Sequence, residues 1–470
     1  MLSFAEIKTK LERYCKDQHG ADNRGKKRYV RIAMNIIASI LGRGLGVVVS
    51  FISVGLTSHF LDMVTLGVFM TISSFGIYLT FADLGIGNGL MNAIATAHGR
   101  DDRKAMHAAI STAFFSLSGI AFVIFGVGCL LSFLLKIGPS IFNVYDQAHF
   151  QDVNLAVFVY FAIFSINLLF SSSERVRIGQ QTGYLNQVYV IIGNILSLIF
   201  LMIATRSHAP LPWLVVANET GPVCGRILNF IMLFFRQQPD LRPKFSLVDR
   251  HRVRSLMGTA LFFFLLQASV PFMTAFDKLL FSHLFGAEAV PSYTVPLRLF
   301  EVIGGVCGIA LVPFWPAYAE AIARRDVAWI RVTLKRLISV TMGVMGGAAL
   351  FLTLAGNTII HHWAGDQYSA PWTLLLGLGS AALATSFHSV CSIFLNAMNK
   401  LKIQVFLVWS GILLTLVIKV IIGEMFGIVP FVWANVAGIT FLMLAPLAVY
   451  TLWIFRRLDS VADQHHETPL

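Results

Sequence analysis

Charge is scarce in this chain. Asp, Glu, Lys and Arg make up 13% of 470 residues while 56% are hydrophobic, and ordinary soluble domains carry about 25% charge. One soluble core has no room for that much apolar surface, so a water-soluble globular fold is excluded. Cysteine is scarce too. Cys15, Cys129, Cys224, Cys307 and Cys391 form no CxxC pair, and four of them sit in apolar runs. That excludes a disulfide framework and a thiolate metal site, and leaves small buried apolar residues. No cleavable signal is evident: 31 mostly polar residues precede the first apolar run, and that run is about twice a signal-peptide core in length. It is expected to stay as the first span. A large outer loop bearing catalytic groups is also lacking. The longest, about 136–152, offers only Lys136, Asp146, His149 and Gln151. Adjacent His361 and His362 read as interfacial. No cofactor motif, metal site or catalytic constellation is found, so the chain does not read as an enzyme.

What is present is a series of apolar segments, each long enough for a hydrocarbon layer of roughly 30 Å, which takes about 17–25 helical residues. They are drawn at 32–58, 66–92, 108–135, 153–172, 188–205 and 212–235, then at 256–283, 291–319, 337–361, 371–396, 404–422 and 430–455. Backbone groups in lipid must be satisfied within each segment, so all are read as helices. The predicted fold is an all-α polytopic membrane protein of twelve transmembrane helices in two six-helix lobes. Its parts are a basic leader 1–31, an N-lobe 32–235, a linker 236–255, a C-lobe 256–455 and a tail 456–470. In the leader, Ser3 and Glu6 have capping-box spacing and Phe4, Ile7, Leu11 and Tyr14 follow a helical period, which predicts an interfacial helix. With both termini cytoplasmic, the inner segments hold 29 of the 36 Lys and Arg and the outer loops only Lys136 and Arg206, as the positive-inside rule requires. The pI near 9.6 is then topology, and nucleic-acid binding is not needed.

The two halves echo one another. Ala93, Ala95, Ala97, Arg100 and Asp102 recur as Ala317, Ala319, Ala321, Arg324 and Asp326, and the same 224-residue offset carries Ser58 and His59 onto Ser282 and His283. Six spans per half put both lobes in the membrane from the same side. A pseudo-twofold axis along the membrane normal is therefore expected, with the substrate path between the lobes.

Chemistry is expected where charge enters the bilayer, since each such group costs about 2.5 kcal/mol or more at the helix centre. The basic candidates are Arg43, Arg226, Lys278 and Arg298, with Lys419 near the end of its span; the acids are Asp83, Glu219, Asp277 and Glu301. The four basic candidates suit a ligand with an anionic group such as a pyrophosphate, which can take paired bonds from arginine. The acids serve as coupling groups or as structural partners: Arg298 with Glu301, Arg226 with Glu219, Lys278 with Asp277. The sharpest string is FADLGIGNGLMNA from Phe81, where Asp83 stands in a helix broken by Gly85, Gly87 and Gly89, with Asn88 among them. Such backbone is tolerated at depth only under protein or beside a wet cavity. Trp409, well inside span 11, is a candidate for stacking on sugar.

At this string the chain resembles the O-antigen flippases, the polysaccharide transporter branch of the multidrug, oligosaccharidyl-lipid and polysaccharide exporter superfamily. The basic amino terminus, the LGVF at Leu66–Phe69, the DLG-x-G-N string, the basic turn His98–Lys104 and the twelve-span plan carry the likeness. It implies a flippase that moves an undecaprenyl-diphosphate-linked oligosaccharide to the outer leaflet of a bacterial inner membrane by alternating access, with a cationic central cavity for the headgroup. Its partners would be the lipid-linked oligosaccharide, membrane lipids, a polysaccharide polymerase and other glycan-assembly proteins, and no cofactor is implied. A multidrug antiporter of the same plan and a lipid II-type flippase are the alternatives. The first favours an acidic cavity and the second usually carries two spans beyond the twelfth.

Overall fold

The computed structural model describes residues 21–61, 65–66, 68–69, 72–73, 81–134, 147–248, 250–286, 289–364 and 369–464. The leader helix expected at Phe4–Tyr14, much of span 2 and most of the loop 136–152 lie outside those residues. No strand occurs among the described ones, and ten of the helices they form are long and apolar enough to cross a membrane. The chain is an all-α, multi-pass membrane protein of two lobes. One compact unit runs to Leu261 and the other from Phe262, so the division falls within one long helix.

In the first unit the helices are α1 (Ala21–Phe60), α2 (Ile86–Gly99), α3 (Arg103–Cys129), α4 (Gln147–Phe170), α5 (Ser172–Gly179), α6 (Tyr184–Arg206) and α7 (Leu211–Ile231). In the second, α8 (Arg250–Phe285) leads to α9 (Val290–Leu311), α10 (Phe314–Ala323), α11 (Val327–Ala364), α12 (Trp372–Ala397), α13 (Leu401–Phe426), α14 (Ile428–Ala437) and α15 (Ala445–Gln464). The expected span 6 is α7, continued by a π turn over Met232–Gln237. It carries Glu219, Arg226 and an internal Pro222 and is not among the ten most apolar helices. Large exposed side chains such as Phe122, Leu134, Leu354 and Phe441 cover the outside, as a lipid solvent requires.

Small residues bring helices together within the first lobe. A Cβ on Gly221 of α7 would overlap Ser197 N and Gly193 O of α6, and one on Gly225 would overlap Tyr189 O. The backbones touch along this stripe, and Ser197 Oγ donates to Asn218 O at 2.7 Å. This is the small-residue packing that substitutes for hydrophobic drive between helices in lipid.

The sequence echo has a structural form. Arg100 (φ −93°) and Arg324 (φ −90°) each end a helix, and Asp101 (φ 56°) and Arg325 (φ 57°) follow in the left-handed region. Asp102 N then bonds to Ala97 O and Asp326 N to Ala321 O, both at 2.9 Å, the six-to-one bond of a Schellman turn. Each aspartate also caps the next helix: Asp102 Oδ1 accepts from Ala105 N at 2.9 Å and Asp326 Oδ1 from Trp329 N at 3.2 Å. A second pair of like turns stands at Gln181 (φ 60°) and Asn399 (φ 57°). Their offset is 218 residues, so six residues fewer separate the two turns in the second lobe.

Candidate functional site

The glycine-rich string breaks its span at one point. Leu84 (φ 49°) and Gly85 (φ 79°) are left-handed and α2 starts at Ile86, so Gly87 and Gly89 are helical. Asp83, 6% exposed, turns back on the break, and its Oδ1 accepts from Gly85 N at 2.9 Å. Its Oδ2 lies 3.7 Å from Arg175 Nη2, and Arg175 Nη1 donates to Asn88 Oδ1 at 2.9 Å. Gly87 leaves room for this contact: a Cβ there would stand 2.5 Å from Asp83 Oδ2 and 2.7 Å from Arg175 Nε.

Arg226 does not pair with Glu219. Its Nε donates to Glu174 Oε1 at 2.9 Å and its Nη1 to Asn167 Oδ1 at 2.7 Å, tying α7 to α5 and α4. Glu219 instead accepts from Asn218 Nδ2 at 2.8 Å. The reason is axial position, since seven residues put two side chains on one face but about 10 Å apart along the axis, whereas α5 presents Glu174 within reach of Arg226. Beside this pair Arg177, 1% exposed, donates to Asn229 Oδ1 at 2.5 Å and Gln237 Oε1 at 3.0 Å. Asn229 donates in turn to Asn186 at 3.0 Å, and Gln180 and Gln238 exchange bonds at 2.9 and 3.1 Å. Arg43, on α1, is exposed and has no acid partner among the described residues.

In the second lobe, Asp277 does not pair with its neighbour Lys278. Its Oδ1 accepts from Lys419 Nζ at 2.5 Å, across from α13 to α8. Lys419 is fully buried, far from the peripheral position its place in the sequence suggested, and stands 4.8 Å over the Phe431 ring. Successive residues on a helix point about 100° apart, so Asp277 turned inward to Lys419 leaves Lys278 aimed elsewhere. Both border a cavity of about 280 Å³ within this lobe, which Tyr293, Glu301, Cys307 and Ser386 also line. Glu301 pairs with Arg298 Nη1 at 3.2 Å, one turn away as expected, and the Arg298 side chain is 63% exposed. Three of the eight charged candidates (Asp277, Lys278 and Glu301) therefore meet in one cavity. Trp409 is taken up by packing: its Nε1 donates to Leu265 O at 3.1 Å and its ring lies 5.0 Å from Phe272.

Sequence reasoning missed Glu174, Arg175 and Arg177, because charges after residue 172 marked a cytoplasmic loop. The apolar helix in fact persists over Gln151–Gly179. The signal was there: SSERVRIG contains no proline and ends in glycine, as a continuing helix would.

The chain is thus a two-lobed, multi-pass helical bundle with paired charge inside each lobe. It matches solved structures over 93% of this chain and 97% of theirs. One is an outward-facing multidrug resistance MATE family transporter of the MOP superfamily, 14% identical with a TM-score of 0.73. Another is a MATE protein in a straight conformation, 15% identical with a TM-score of 0.71. A third is a MOP superfamily transporter from Pyrococcus furiosus, described as having a binding pocket of reversed polarity, 14% identical with a TM-score of 0.70. A search of curated proteins finds none that matches. Residues 32–322 match the model of the polysaccharide biosynthesis protein family, and the chain belongs to that family.

Proposed function

We propose that this chain is a flippase that carries an undecaprenyl-diphosphate-linked oligosaccharide, the repeat unit of an O-antigen or another polysaccharide, from the inner to the outer leaflet of a bacterial cytoplasmic membrane. Both termini lie in the cytoplasm, and the protein moves its substrate by alternating access without chemical change. The sorting of charge is the observation that carries this reading. Arg226 and Lys419 are engaged by carboxylates inside their lobes, while Arg43 is exposed at mid-helix with no acid partner among the described residues, Arg298 is exposed and only shared with Glu301, and Lys278 borders a cavity. Exposed guanidinium groups at depth suit a diphosphate, which accepts two parallel bonds from each. An antiporter of organic cations shares the fold but needs free acids. Here Asp83 faces Arg175, Asp277 faces Lys419 and Glu301 faces Arg298, which leaves Glu219, bonded to Asn218, as the one of the four acids with no basic partner among the described residues.

The test replaces Arg298 or Arg43. A charge-assisted bond contributes about 1.5–3 kcal/mol, so either alanine variant should lower surface glycan about tenfold or more at unchanged protein level. Lysine at the same positions, which keeps the charge and loses the fork, should lower it less. Normal glycan display by both alanine variants would refute the proposal.

A further inference from the structure

The segment that follows α7 is held down as a strap. Leu241 is 2% exposed and belongs to the first lobe's core. Lys244 N donates to Ser111 Oγ at 3.1 Å, His107 Nε2 bonds with Arg242 O at 2.7 Å, and Arg103 pairs with Asp240. Arg103, His107, Ser111 and Phe115 recur every four residues and so form one stripe of α3. Phe245 stands edge-on to Phe115, with ring centroids 5.1 Å apart, yet is 74% exposed. Further along the same stripe Phe122 is 76% exposed, about 10 Å deeper than Phe115 along the helix. Phe245 thus stands where the apolar outer face of α3 gives way to charge.

Bases outnumber acids in the strap. Over 236–248 the strap has Arg236, Arg242 and Lys244, all exposed, against one acid, Asp240, which Arg103 engages. Lys104, also exposed, adds a further base from α3. The Arg242 guanidinium lies 4.1 Å above the half-exposed Phe235 ring, an aromatic and a base presented together. Phe rings beside basic side chains insert at the boundary of headgroups and acyl chains, and each base near an anionic leaflet contributes roughly a fivefold gain in association.

We propose that the strap 236–248 is a docking surface for anionic lipid headgroups, with Phe245 and Phe235 in the interfacial layer and Arg236, Arg242 and Lys244 at the phosphates. The proposal does not depend on the substrate assigned above. The experiment is hydrogen exchange of residues 236–248 in the full-length protein, in nanodiscs of phosphatidylglycerol and of phosphatidylcholine. Exchange should be about tenfold slower or more in phosphatidylglycerol. The variant Arg242→Gln/Lys244→Gln/Phe245→Ser should lose that difference, and Arg242→Lys/Lys244→Arg should keep it. Lys335→Gln/Arg336→Gln, a basic pair elsewhere, should leave the strap's response intact. Equal exchange of the wild-type strap in the two lipids overturns the proposal, as does an undiminished difference in the glutamine–serine variant. No substrate or gradient is present in this measurement, so its outcome is independent of the flippase assignment.

Discussion

The Asp277–Lys419 pair should be nearly worthless when both members are exchanged and costly when one is. At 2.5 Å and an effective dielectric of 20, the attraction is about 7 kcal/mol. Removing each ion from water costs several kcal/mol, so the pair roughly breaks even against well-packed apolar or neutral groups. The side chains are 0% and 9% exposed; deleting one partner therefore leaves the other with little water, a loss of about 3–5 kcal/mol. For a lobe the size of Phe262–Leu470, each kcal/mol shifts the melting point by about 2–4 °C. Lys419→Met and Asp277→Asn should then each lower Tm by roughly 6–20 °C, in tryptophan-fluorescence melts of the detergent-solubilised protein. The double variant should return to within about 1.5 kcal/mol of the wild type. A double variant that melts at the sum of the two single losses would refute the account, because it would show that neither charge depends on the other.

Other expectations concern backbone room and turn geometry. Gly221→Ala, which drives a Cβ into Ser197 N and Gly193 O, should cost about 3 kcal/mol or more and sharply reduce yield. Gly87→Ala meets only the ends of the Asp83 and Arg175 side chains and should cost about 1–2 kcal/mol, while Gly44→Ala, inside α1 with nothing within 4 Å, should raise stability by up to about 1 kcal/mol. Arg325→Gly and Asp101→Gly, at φ 57° and 56°, should each raise stability by up to about 1 kcal/mol, the arginine site gaining more because aspartate tolerates the left-handed region better. A loss at both sites would mean that these side chains contribute more than their turns cost.

Much of the fold was legible because lipid leaves a chain few options. Apolar runs of spanning length must be helices, and ten of the twelve predicted spans recur as such helices. The turn built on Arg100–Asp102 and Arg324–Asp326 was visible as a repeat because both copies use the same capping aspartate. Its companion at Gln181 and Asn399 was not, because six lost residues break the common register and no residue type is shared. The site was legible only in part, for a physical reason. Hydropathy shows how deep a charge lies along its helix but not the direction in which it points. Arg298 and Glu301 share a helix, but the other partners lie on different ones: Arg226 and Glu174 are 52 residues apart, Lys419 and Asp277 are 142 apart. A sequence can therefore say that a buried charge needs a counter-ion without saying which one, and the nearest in sequence, Glu219 for Arg226 or Lys278 for Asp277, is the wrong choice in both cases. Once those partners are assigned, the basic candidates cease to be equivalent. Arg226 is committed to holding its lobe together, and Lys278 gains a cavity because Lys419 has taken its neighbour. Arg43, Lys278 and the half-shared Arg298 remain for the anion-binding role proposed above.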